Sequence, residues 1–140
     1  MVGAGGVLLL VVFALKAAAV PFGFWLVPAY SAAIAPVAAL FAIMTKVGIY
    51  AILRIHGLLF GLDGGPGEMV MQTWLMVAAV LTIVAGAIGV LGALTLARLI
   101  ASLVIVSAGT LLFGLAIGTA DSVAAAIFYL VGSTCPHQRR

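Results

Sequence analysis

The chain has 140 residues, of which 66% are hydrophobic and 6% charged, with a formal net charge of +3. A soluble domain carries roughly 25% charged residues, so lipid rather than water must solvate most of this surface. Six scattered basic residues with no basic stripe argue against a nucleic-acid partner, a single cysteine excludes an internal disulfide, and no His/Cys spacing suggests a metal site.

Buried backbone polar groups must be paired in a bilayer, so only helices and closed barrels cross it. The apolar runs here are long and do not alternate, which selects helices. At about 20 residues per span the length admits about five of them. The first runs from roughly Val2 to Val20 and is broken at Pro21, which lacks an N–H and clashes with the preceding turn. Ala17-Ala18-Ala19 resembles a leader cleavage site, but no basic region precedes the run and Lys16 lies on the wrong side of it. From Pro21 to Pro36 three prolines and Trp25 interrupt an apolar stretch. It is too broken for one straight helix and too apolar for an exposed loop, so a half-helix at membrane depth is expected.

The second long helix is expected over roughly Pro36 to Leu59, with proline suited to its first turn. Gly61 to Glu68 is a loop. A third helix covers roughly Met69 to Leu91, and a turn from Gly92 to Arg98 leads to a fourth from roughly Leu99 to Ile117. Asp121 or Ser122 is expected to cap a fifth. That helix holds only about a dozen apolar residues before Cys135, short of a full span. Asp63, Glu68 and Asp121 then fall on one side of the membrane, and Arg98, Arg139 and Arg140 on the other, which would be cytoplasmic by the positive-inside rule. Arg54 runs against this sorting.

Two lysines stand inside these spans. An ammonium at bilayer depth costs about 2.5–3.5 kcal/mol on the insertion scale. Lys16 is about one turn from the break at Pro21, where its amine could snorkel to an interface. Lys46 lies about ten residues from either helix end, about 15 Å from water at 1.5 Å per residue, beyond the reach of its stem. Lys46 is therefore expected to face protein or a water-filled space and to serve a function. Desolvation penalises a charged amine, so a lysine held away from water releases its proton more readily. Two such groups bridged by water or hydroxyls can pass a proton between them.

Thr45 and Tyr50 are candidate bridges, although a bond from Thr45 to its own helix carbonyl is the commoner role. Arg54 and His56 lie near a helix end and are expected to snorkel, with a supporting role at the site as the alternative for His56. Gly86, Gly89 and Gly92, and the pair Gly114 and Gly118, signal close helix contact. Ser107 and Thr110 are placed to hydrogen-bond between helices. No Ser/His/Asp or Cys/His set exists for nucleophilic chemistry.

The stretch from Ala14 through Lys16, Pro21, Trp25 and Pro28 to Tyr30, followed by Ala35 to Phe41 and Thr45-Lys46-Val47-Gly48-Ile49-Tyr50-Ala51-Ile52-Leu53-Arg54, strongly resembles the antiporter-like membrane subunits. That family includes proton-pumping subunits of respiratory complex I and of membrane-bound hydrogenases. The stretch is most similar to the D-type subunits of multisubunit Mrp-type sodium/proton or potassium/proton antiporters. The resemblance implies an all-α polytopic transmembrane helix bundle of about five helices, one of them Pro-broken, as a fragment of a fourteen-helix fold. It implies that Lys16 and Lys46 form a proton relay and that Pro21 is the helix break. Residues 1–134 would be the family's seventh to eleventh helices, in a multi-pass protein of the bacterial inner membrane, with 135–140 an out-of-frame or truncated tail. The expected function is secondary exchange of Na+ or K+ for H+ with no cofactor, alongside other subunits of a hetero-oligomeric complex and membrane lipid. A proton-pumping subunit of a redox-driven complex and a non-transporting fragment are the alternatives. The glutamate of the family's fifth helix and the charged residue of its twelfth are not in this chain.

Overall fold

The computed structural model describes residues 2–16, 25–60 and 66–134. Among these residues six helices follow one another: α1 (Val2–Lys16), α2 (Leu26–Ala32), α3 (Ala35–Phe60), α4 (Pro66–Leu91), α5 (Leu96–Ile117) and α6 (Ala120–Thr134). Three of them contain apolar stretches long enough to cross a membrane, at Ala35–Ile55, Gln72–Leu91 and Leu96–Ile117. The seven-residue α2 is the expected half-helix, and Pro21 itself lies outside the described residues.

Local chemistry moves several boundaries from where the hydropathy pattern put them. Helix α4 begins at Pro66 rather than near Met69, because proline's fixed φ and missing donor suit the first helical position. Helix α5 begins at Leu96, so Arg98 stands in its first turn and not in the preceding loop. Thr95 is extended there, and its hydroxyl accepts from the Arg98 N–H at 3.4 Å. The cap of α6 is Thr119, whose hydroxyl accepts from the Ser122 N–H at 3.3 Å. Asp121 and Ser122, the expected caps, are instead inside the first turn, where an acidic side chain suits the helix dipole. Gly118 has φ 70° and closes α5 with a left-handed residue whose N–H donates to Leu115 O at 3.1 Å. Gly118 is thus a helix stop, and both glycines also make the expected close contact: a Cβ at Gly114 would fall 3.3 Å from Ala126 Cβ of α6, and one at Gly118 2.8 Å from Gln72 Nε2 of α4.

Helices α4 and α5 run antiparallel, α3 packs parallel to α5, and α5 is central. A Cβ added at Gly89 would come 2.8 Å from Ser102 Oγ, one at Gly86 2.6 Å from Val106 Cγ2, and one at Gly109 2.7 Å from Ile83 Cγ1. Numbers fall along α4 as they rise along α5, and residues three or four apart make the seam, as expected for small residues in membrane helices. Gly92 ends α4 and touches only its own Ile88 O at 3.4 Å. The buried hydroxyls near this seam bond back to their own helices, Thr82 to Ala78 O at 2.6 Å and Ser102 to Arg98 O at 2.9 Å. At the far end Gln72 Nε2 donates to Ile117 O at 3.1 Å, satisfying an open carbonyl at the end of α5.

One buried cluster joins Ile49 and Ile52 of α3 to Ala79 of α4, Leu111 and Leu112 of α5 and Ala126 of α6. A second seats Leu26 and Tyr30 of α2 against Ala101 and Ile105 of α5. Outward faces carry Trp74, Leu81, Ile88 and Phe128, all exposed, as a lipid-facing surface should. The start of α4 and the end of α5 share one face of the bundle, so Asp121 at the start of α6 lies opposite Arg98 at the start of α5.

A larger side chain at Gly109 must push back the Ile83 backbone nitrogen, which a Cβ there would approach to 3.0 Å. Gly109→Val should therefore destabilise the bundle by about 1–3 kcal/mol, read as a lower unfolding temperature in detergent. Gly57→Ala, with nothing within 4 Å of the new Cβ, should leave that temperature unchanged or raise it.

Candidate functional site

Lys46 is in the middle of α3, level with the middle of α5. Its half-buried side chain borders a cavity of about 280 Å³ between α3, α5 and the end of α6, lined also by Thr45, Ser107, Leu111 and Ser133. Lys46 Nζ donates to the main-chain oxygen of Ser133 at 2.8 Å. That oxygen belongs to α6, so the bond ties the middle of α3 to α6 across the cavity. The expectation that Lys46 faces protein, and does not reach for an interface, matches this geometry.

The other sequence-derived candidates fall in different places. Thr45 is buried beside Lys46, and its hydroxyl donates to Ala42 O of its own helix at 2.8 Å. Tyr50 is exposed and borders a small cleft with Ile127 and Leu130 of α6, which shares Ile49 and Leu111 with the lining of the Lys46 cavity. The side chain of His56 lies outside the described residues. Lys16 is exposed at the end of α1 and does not border the Lys46 cavity.

An aromatic cluster links the segments that carry the two lysines. Trp25 Nε1 donates to Leu15 O, next to Lys16, at 3.4 Å. The Trp25 ring meets Phe41 of α3 edge-on at 6.2 Å and 81°. Phe41 in turn lies 6.1 Å from Tyr30, so α1, α2 and α3 are fastened together about one turn before Thr45. The Tyr30 hydroxyl is buried and has no hydrogen-bond partner among the described residues.

Two contacts at the site had no sequence signal. The Ser133 carbonyl is a backbone group, invisible to residue type. Tyr129 reads as one more apolar-helix aromatic, yet its hydroxyl donates to Ser107 Oγ at 3.4 Å. Ser107 thus makes the interhelical bond expected of it, whereas Thr110 bonds to Ser107 O within α5 at 2.8 Å.

Residues 1–134 match the family model described as NADH:quinone oxidoreductase/Mrp antiporter, transmembrane region. The chain belongs to this family. It is 46% identical over 134 residues to the D-type subunit of a probable K(+)/H(+) antiporter of Rhizobium meliloti, covering 96% of this chain and 25% of that protein. It is 41% identical over 127 residues to the D-type subunit of the Na(+)/H(+) antiporter of Bacillus subtilis, covering 90% of this chain and 25% of that protein. A solved structure of the Mrp complex from Dietzia sp. DQ12-45-1b superposes with a TM-score of 0.86 at 30% identity, over 95% of this chain and 24% of the matched chain. The chain therefore spans about a quarter of the length of the relatives it matches. It is an all-helical part of the antiporter-like transmembrane fold, in a family whose members named above are antiporter subunits.

Lys46→Met keeps most of the stem volume but removes the charged donor and strands the Ser133 carbonyl. A hydrogen bond to a charged group contributes about 1.5–3 kcal/mol. Amide exchange around Ser133 should accordingly rise at least about tenfold, followed by mass spectrometry of the peptide that contains Ser133.

Proposed function

We propose that this chain forms the middle of the proton relay in a membrane subunit of a monovalent cation/proton antiporter. Lys46 is the central carrier, Lys16 the neighbouring one at the helix break around Pro21, and residues 1–134 part of the proton-conducting domain. The observation that carries this reading is an amine at mid-depth of a long apolar helix, in a cavity, held by a backbone carbonyl 2.8 Å away and by no carboxylate among the described residues. A neutral carbonyl holds the amine in place without forming an ion pair. Thr45, Tyr50 and His56 are supporting positions around it.

The exchanged ions are H+ and Na+ or K+, and the chain works with other subunits of a hetero-oligomeric complex within membrane lipid. Similarity to D-type proteins named for K(+)/H(+) and Na(+)/H(+) exchange supports this over a redox-driven pump.

The test is a chimera in which residues 1–134 replace the matching segment of the Bacillus subtilis relative, assembled with its partner subunits in everted vesicles. Lys46→Ala should bring cation-driven proton exchange to background. Lys46→Arg should do the same, because arginine keeps the charge and holds its proton. Lys16→Ala should lower exchange strongly. Undiminished exchange in both alanine variants would remove the relay.

A further inference from the structure

The Lys46 cavity is not the only one along α5. It borders Ile100, Leu103, Val104, Ser107 and Leu111 on that helix. A second cavity of about 400 Å³ continues with Thr110, Leu111, Gly114 and Ile117 of α5, and with Ser122 and Tyr129 of α6. The two share Leu111. At their junction Tyr129, which borders the second, donates to Ser107, which borders the first, at 3.4 Å. Together they follow α5 from residue 100 to residue 117, about 25 Å at 1.5 Å per residue. Ser122 is next to Asp121, so the second cavity ends at the acidic face of the bundle.

A cavity holds water only where polar groups meet it, and one water needs about 30 Å³. The first cavity offers the Lys46 amine, the Ser107 hydroxyl and the Ser133 carbonyl; the second offers the hydroxyls of Thr110, Ser122 and Tyr129. Both are open clefts on the bundle rather than enclosed voids, and each is roomy enough for several waters. Thr110, also at this junction, spends its hydroxyl on Ser107 O at 2.8 Å, so the Tyr129 and Ser107 hydroxyls form the crossing.

We propose that Ser107 and Tyr129 carry protons between Lys46 and the membrane surface at the Asp121 end of the bundle, through the two cavities they join. This rests on Lys46 being a proton carrier. In the inward sense, a hydronium in the second cavity gives a proton to the Tyr129 oxygen while Tyr129 passes its own hydrogen to Ser107 Oγ. Ser107 passes its hydrogen through water in the first cavity to the neutral Lys46 amine. One proton has moved, both hydroxyls are restored, and their reorientation resets the pair. The two oxygens lie 3.4 Å apart, and either hydroxyl can donate to the other. Hydroxyls suit such a crossing because each is donor and acceptor at once.

The test uses the same chimeric complex, with Lys46→Ala as reference. Tyr129→Phe and Ser107→Ala should each lower proton exchange about tenfold or more, at unchanged amounts of assembled complex. Ser107→Thr, which keeps the hydroxyl, should stay within about twofold of the parent on the same scale. Wild-type exchange in Tyr129→Phe and Ser107→Ala, with Lys46→Ala inactive, overturns the crossing and leaves the relay intact. Equal losses in Ser107→Thr and Ser107→Ala assign Ser107 to packing and also overturn it. Full exchange in Lys46→Ala removes the relay and the crossing together. A second measurement does not depend on transport. A thiol at Ser107→Cys should react with a hydrophilic methanethiosulfonate reagent added on the side from which Asp121→Cys is labelled. No reaction from that side overturns the proposal.

Discussion

The contact of α4 with α5 is the constraint on which the rest of the bundle depends. Lipid is as apolar as leucine, so burial of apolar surface does little to hold two membrane helices together. Close approach does, because dispersion falls off steeply with distance. Gly86, Gly89 and Gly109 remove the side chains that would keep the two backbones apart. Their polar neighbours Thr82 and Ser102 turn inward to their own carbonyls. With α4 on one side, the remaining faces of α5 receive Leu26 and Tyr30 of α2, Ile49 and Ile52 of α3, and Ala126 of α6. The position of the site follows: α3 and α6 meet across α5 at the level of Lys46.

At that level one strong polar interaction replaces water. A charge in hydrocarbon must be paired, hydrated or neutral, and Lys46 finds a backbone oxygen rather than a carboxylate. A carboxylate at hydrogen-bond distance would form an ion pair with the amine, whereas the carbonyl offers a neutral dipole. The Trp25–Phe41–Tyr30 cluster fastens the broken segment to α3 without filling the Lys46 cavity.

Much of this was legible in the residues. Lys46 was identifiable by distance alone, since about ten residues of apolar helix on each side exceed the reach of a lysine stem. The half-helix between Pro21 and Pro36 followed from proline spacing, and Gly86 and Gly89 announced a close contact by their period. The helix ends were less legible. Thr95 and Thr119 cap through single hydroxyl bonds, and Gly118 terminates α5 by its φ of 70°; a hydropathy pattern carries neither. Gly118 is both a contact glycine and a left-handed cap, and its spacing from Gly114 shows only the first.

By itself the sequence determined the solvent, the helical class, the family and the lysines, because these depend on composition, period and charge at known depth. Only the tertiary structure decided which groups meet. The partner of Lys46 is a carbonyl 87 positions away along the chain, and every residue has a carbonyl. The Ser107–Tyr129 bond likewise joins residues 22 apart on two helices. Such pairings depend on the axial offset between packed helices, which the Gly-rich seam and the caps set together and no single helix encodes.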